Sequence, residues 1–343
     1  MKTLSLRKPD DWHVHFRDGD KLIDTVNATA KHFGRALVMP NLIPALTTPE
    51  LLLDYRQRVI KAISTPHTFT PYFTLYINES VTHESFALLK QYNDFLGAKL
   101  YPAGATTNSS EGPTSLTTLY PLFETMQSLD LALQIHGETR EGDIFDRESI
   151  FLTETLQPIL KNFPKLRVVL EHISTKAAVD FVTQQSHRLA ATITPHHLLY
   201  NRNHLLAGGL KPHYYCLPIL KRMTDQHALI TAATSGNPKF FAGTDSAPHA
   251  KHNKETSCGC AGIFSSPHAL CFYASIFDKA NALSKLNAFM SQFGAEFYQL
   301  PLNESHINLV KKPQTIPQTF SFGNDVVIPM GAGESLSWSV VDD

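Results

Sequence analysis

Short apolar runs rich in β-branched and aromatic residues recur along the whole chain, with helix-patterned segments between them. This alternation restricts the fold more than any other feature. The runs read WHVHF (12–16), RALVMPN (35–41), TPYFTLYI (70–77), GAKLYP (97–102), LALQIHGE (131–138), LRVVLEHI (166–173), LAATITPHHL (189–198), YYCLPILK (214–221) and FFAGTDSAPH (240–249). Amphipathic stretches such as TPELLLDYRQRVIKAI and TTLYPLFETMQSL separate them, opened by cap-like Thr, Ser or Pro. Near-continuous apolar strands alternating with helices call for a parallel sheet with both faces covered. YYCLPILK is set aside, because Pro218 would remove a ladder donor from its middle. The eight remaining runs predict a (β/α)8 TIM barrel, with residues 1–343 forming one domain. The β-rich tail from about residue 310 is expected to pack outside the barrel as a C-terminal extension.

The same runs carry polar residues at their C-terminal ends. His13 and His15 stand two apart, so strand alternation predicts that both project from one face, with Trp12 and Val14 on the other. Arg17 continues that face outward. Asn41, Lys99, His136, His172 and Asp245 end later runs. In a parallel barrel the C-terminal strand ends ring one mouth, where active sites are built. Four imidazoles and a carboxylate there form a ligand set suited to zinc or a similar borderline metal. Each residue also has a plain role open to it: His136 as a core histidine, Asp245 as a helix cap, Arg17 as a surface partner of Asp18 or Asp20. Lys99 fits poorly, because an ammonium has no lone pair and is repelled by cations. Either it points elsewhere, or its neutral amine captures carbon dioxide as an anionic carbamate.

With 30 basic and 31 acidic residues the formal net charge is −1 and no basic stripe stands out, which argues against nucleic acid or an anionic membrane as partner. The N-terminus lacks a secretory apolar region, and no apolar run is long enough to span a bilayer. Four cysteines in a chain of 343 residues are no disulfide framework, so a reducing cytoplasm is expected. Cys258 and Cys260 could be half a zinc site but lack a second pair at finger spacing, and all four are expected to be small, buried thiols.

HVHFRD, MPN, AKLYPAGATTNSS, IHGE, EHISTK, ATITPHHL, LKPHYYCLPILKR and GTDSAPHAKHNKE followed by CGCAG together resemble the dihydroorotases, in the shorter bacterial form of that amidohydrolase family. The resemblance runs from about residue 7 to the C-terminus. It implies two zinc ions per subunit: His13, His15 and Asp245 on the first, His136 and His172 on the second. Lys99, carboxylated to N6-carboxylysine by carbon dioxide, would bridge both together with a hydroxide. It implies reversible cyclisation of N-carbamoyl-L-aspartate to L-dihydroorotate in pyrimidine synthesis, with the bridging hydroxide as nucleophile and Asp245 as general base and acid. Substrate contacts would fall to His15, Arg17, Asn41, His136, Leu217, His249 and Ala261, under a closing loop that holds Thr106 and Thr107. A cytoplasmic homodimer is implied as well. Gly104 stands where the family pattern has Asn, which bears on loop closure. Two other readings compete: another cyclic amidohydrolase of hydantoinase type, and a non-catalytic scaffold for aspartate transcarbamoylase. The first is opposed by the TTNSS loop, the second by the complete ligand set.

Overall fold

The computed structural model describes residues 2–64, 66–113 and 115–341. After a short strand β1 (Thr3–Arg7) come eight strands: β2 (Asp10–Val14), β3 (Arg35–Val38), β4 (Thr70–Tyr76), β5 (Phe95–Leu100), β6 (Ala132–His136), β7 (Arg167–Glu171), β8 (Leu189–Ile193) and β9 (Phe240–Ala242). They pair in chain order, all parallel. The eight runs expected to be strands are these eight. YYCLPILK is indeed not one; its first residue closes a single 3-10 turn at Pro212–Tyr214.

Just beyond their ends, β9 and β2 meet. The Asp245 amide donates to the His13 carbonyl at 2.8 Å, and the His15 amide donates to the Ser246 carbonyl at 3.0 Å. Val14 bridges Ser246 in parallel. These bonds draw the sheet into a nearly closed barrel.

Alternation sorts the side chains. Val38, Phe73, Leu75, Leu100, Leu133 and Ile135 face the helical shell. Leu37, Tyr72, Ala132, Val169, Ala190 and Phe241 fill the interior. The floor is sealed by the helix Phe293–Phe297 and Tyr298, which stacks on Trp12 with ring centroids 4.8 Å apart. Gly294 permits that approach, since a Cβ there would lie 2.0 Å from Trp12 Nε1. The helices follow ordinary rules: Thr48 caps Pro49–Ala62 by accepting the Leu51 amide, and Leu52, Tyr55 and Val59 form the buried stripe.

Two expectations are corrected. Register shifts between Asp11 and Val14, so Trp12 turns inward while Val14 joins the outer core, and the two do not share a face. Most strands end earlier than the apolar runs: His15, Asn41, His172 and Asp245 lie in the segments after them. In the C-terminal extension, β10 (His306–Val310) pairs antiparallel to β1 and is flanked by Ser339–Val340. Asp278 ties this sheet down, accepting from Lys2 at 3.0 Å and pairing with Lys311 at 2.6 Å. No helix among the described residues is long and apolar enough to cross a membrane. Cys216 and Cys271 are buried as expected, but Cys258 is exposed and Cys260 half-buried, in a loop without a covering layer.

Candidate metal centre at the barrel mouth

One cavity at the mouth is lined by His13, His15, Arg17, Asn41, Thr106, Thr107, His136, His172, Leu217, Asp245 and Ala261. Residues more than 200 positions apart in sequence therefore share one wall. His249 reaches the same place by accepting from Arg17 Nη2 at 3.1 Å, and Lys99 lies fully buried over the Tyr101 ring, its Nζ 4.8 Å from the centroid.

The donor atoms form two lobes. In the first, His13 Nε2 and His15 Nε2 are 3.3 Å apart, and Asp245 Oδ1 lies 3.5 Å from the former and 3.1 Å from the latter. In the second, His136 Nδ1 faces His172 Nε2 at 3.2 Å. The remaining ring atoms explain these orientations. Glu171 accepts a hydrogen bond from His13 Nδ1–H at 2.8 Å, which leaves the Nε2 lone pair facing the centre. Glu138 does the same for His136, accepting from Nε2 at 3.0 Å and freeing Nδ1.

Electrostatics favour the ligating forms of the imidazoles. Burial holds His13 below its ordinary value, and His15 and His172 well below it, so all three rings are neutral. Burial pushes the Asp245 carboxyl up. Lys99 falls to about 8, because desolvation of its ammonium outweighs the attraction of Glu171 and Asp245. Its Nζ is buried with no hydrogen-bond partner among the described residues, as are His15 Nδ1, His172 Nδ1 and Glu171 Oε1. Lone pairs packed against one another around a buried amine are costly unless cations or protons lie between them. The donor set fits divalent metal, and a carbamate on Lys99 would supply the missing anionic oxygens.

Backbone strain is concentrated here. Arg17, His172 and Asp245 adopt φ of 63°, 41° and 45°, the left-handed region that costs a non-glycine residue roughly 1–2 kcal/mol. Neighbours hold them: Tyr55 donates to the Arg17 carbonyl at 2.7 Å, and the His172 amide donates to Thr192 Oγ1 at 2.7 Å. Arg17 is therefore aimed by a left-handed turn and by its Nε bond to the Pro248 carbonyl at 2.9 Å, not by strand alternation as expected. Its proposed surface partners are engaged elsewhere, Asp18 with Arg58 and Asp20 with Asn324.

The loop after β5 lies over the cavity. Asn41 Nδ2 donates to the Thr107 carbonyl at 3.1 Å, and Thr107 Oγ1 donates to the Ala261 carbonyl at 3.3 Å. Gly104 has φ of 72°. Asn is among the residues that tolerate that region, so either residue suits the turn. Burial pushes His249 down to about 2, leaving it neutral and able to accept from Arg17.

Sequence reasoning missed Glu171, Glu138 and Tyr101. Each lies next to, or two residues from, a singled-out residue, and two-residue periodicity from Lys99 and His136 points to Tyr101 and Glu138.

Residues 11–308 match the model of the amidohydrolase family. The dihydroorotase of Aliivibrio fischeri (strain MJ11) is 53% identical, across 99% of this chain and 100% of that protein. The solved dihydroorotase of Saccharomyces cerevisiae, in complex with 5-fluoroorotic acid, superposes with a TM-score of 0.92 at 34% identity, covering 99% of each chain. The L-hydantoinase of Arthrobacter aurescens shares the fold alone, with a TM-score of 0.78 at 15% identity over 99% of this chain and 83% of that one.

Proposed function

The chain belongs to the dihydroorotase family of amidohydrolases, hydrolases of cyclic amide bonds in pyrimidine biosynthesis, and on that premise we propose how its residues interconvert N-carbamoyl-L-aspartate and L-dihydroorotate. The observation that carries the reading is the convergence of His13, His15, His136, His172 and Asp245 on one cavity, with the buried Lys99 close enough to act electrostatically on His13, His15, His172 and Asp245.

His13, His15 and Asp245 would hold one zinc ion, and His136 and His172 a second, with Lys99 as its carbamate shared between them. When bound, two such cations acidify water to a nucleophile near neutral pH and polarise the scissile carbonyl. Asp245 takes the proton of the attacking water and returns it to the departing ring nitrogen; in the synthetic direction the transfers reverse. Arg17 grips the substrate carboxylate through paired hydrogen bonds, joined by Asn41 and, once substrate replaces its contact with Arg17 and its ring proton stands on Nε2, by His249. The main chains of Leu217 and Ala261 hold the ring amide, while His15 and His136 border the substrate from the metal side. Asn41 and Ala261 bond to the loop of Thr106 and Thr107, so substrate entry requires that loop to exchange partners.

The same reading treats residues 1–343 as one domain and the protein as a cytoplasmic homodimer. Four free cysteines support a reducing compartment. The test is a paired assay with metal analysis: dihydroorotate should be opened and hydantoin left intact by protein holding two metal ions per chain. Turnover of hydantoin alone, or activity in metal-free protein, would refute the reading.

A further inference from the structure

A second group of metal-ligating side chains lies outside this centre. His196 and His197 sit on the short helix Pro195–Leu199 after β8, and Cys216 lies in the loop that also carries Leu217. All three are buried, and their candidate ligand atoms lie within 4.8 Å of one another. Among the described residues neither ring nitrogen of His196 has a hydrogen-bond partner, although its side chain is fully enclosed. A neutral imidazole has one N–H and one lone pair, and leaving either buried and unpaired costs about 1–3 kcal/mol.

The other two residues share a focus. His197 Nε2 and Cys216 Sγ both donate to the Pro218 carbonyl oxygen, at 2.9 and 3.3 Å. Thr194 Oγ1 lies 2.8 Å from His197 Nδ1, and a hydroxyl supports either tautomer of that ring. His197 can therefore turn its Nε2 lone pair to a cation without orphaning Nδ1.

We infer that His196, His197 and Cys216 bind a third, separate cation, a thiophilic divalent ion of the zinc class. Two imidazoles and a thiolate are the soft, mixed donor set such ions select. On binding, Cys216 releases its thiol proton to solvent and the proton of His197 passes from Nε2 to Nδ1, where Thr194 Oγ1 accepts its hydrogen bond, so the Pro218 carbonyl loses both donors and stands free to complete a tetrahedral set. Burial raises the Cys216 thiol above its usual range, so the thiolate forms only together with the ion. The cation ties the segment after β8 to the loop of Leu217. The inference is independent of the reading of the barrel mouth, whose donors are nitrogen and oxygen only.

Expression in minimal medium supplemented with cobalt(II) loads the protein as it folds and tests the site. The purified protein should show a thiolate-to-cobalt charge-transfer band in the near ultraviolet, which nitrogen and oxygen ligands do not produce. Cys216→Ser should abolish the band and lower bound metal by one ion per chain. His196→Gln, which keeps a polar side chain of similar reach, should do the same and covers the case in which Cys216→Ser fails to fold. Protein with Cys258→Ser and Cys260→Ser should keep the band. Absence of the band from the unsubstituted protein would overturn the site, as would a band that survives Cys216→Ser.

Discussion

Glu171 reaches across the barrel interior to accept a hydrogen bond from His13 Nδ1–H at 2.8 Å, and the Thr192 hydroxyl holds the same carboxylate oxygen at 2.6 Å. The contact decides which nitrogen of His13 faces the mouth and makes the ring a stronger donor there. Glu171→Gln keeps an acceptor but removes the charge, so metal affinity should fall about 10–100-fold. Competition with a chromophoric chelator measures this, and unchanged affinity would show that the carboxylate plays no part.

Lys99 must be neutral to capture carbon dioxide. With its value lowered to about 8 by burial, roughly half of the amines are neutral at pH 8 and about 1% at pH 6. Metal-free protein at fixed dissolved 13C-labelled carbon dioxide should therefore show a carbamate resonance that grows from pH 6 to pH 8. Lys99→Ala should lack it at every pH. A signal that persists in that variant belongs to another amine.

Arg17→Ala removes the guanidinium but no proposed metal ligand. KM for dihydroorotate should rise about 10–100-fold, the scale of a charge-assisted hydrogen bond, with bound metal unchanged. Steady-state kinetics beside elemental analysis separate the two effects. Loss of metal would mean that Arg17 supports the centre itself.

Two glycines of the β5 region should behave differently. A Cβ on Gly97 would lie 1.8 Å from the Ala132 carbonyl oxygen of the neighbouring strand, so Gly97→Ala should cost about 3 kcal/mol and lower the melting temperature. At Gly104 the nearest atom to a new Cβ is 3.7 Å away, on Arg140. Gly104→Asn meets no clash and should cost about 1 kcal/mol or less, the penalty of an asparagine in the left-handed region. Thermal melts of the two variants decide the matter.

Asp278 lies at about 2, below its ordinary 3.8, chiefly through its hydrogen bond from Lys311. A carboxylate lowered on folding stabilises fully above its unfolded value and ceases to as pH falls through its folded one. Its contribution should thus be complete above about pH 4 and gone near pH 2. Asp278→Asn should cost about 1 kcal/mol at neutral pH, a figure suited to a partly solvated network. Denaturation curves of the two proteins should converge between pH 4 and pH 2; a constant gap would assign the effect to packing.

The barrel was legible because each strand is buried on both faces and so reads as an apolar run. His13, His136 and Lys99 were legible because they end such runs. The shift at Asp11–Val14 was not, since a bulge changes which residues face inward without altering composition. Nor was the pairing of β1 with β10, two ordinary half-exposed strands some 300 residues apart. Glu171 escaped notice because its role depends on a ring brought from the far side of the barrel. The direction of Arg17 depended on a left-handed backbone that an arginine does not advertise.

The seam between β9 and β2 is stitched by the backbones of His13, His15 and Asp245. Closure of the cylinder and placement of the ligands are thus one event. Any attempt to evolve new chemistry by randomising these positions would select for survivors of folding before it could select for catalysts. Diversity is better placed in the loop of residues 104–108, which borders the mouth without fastening the wall.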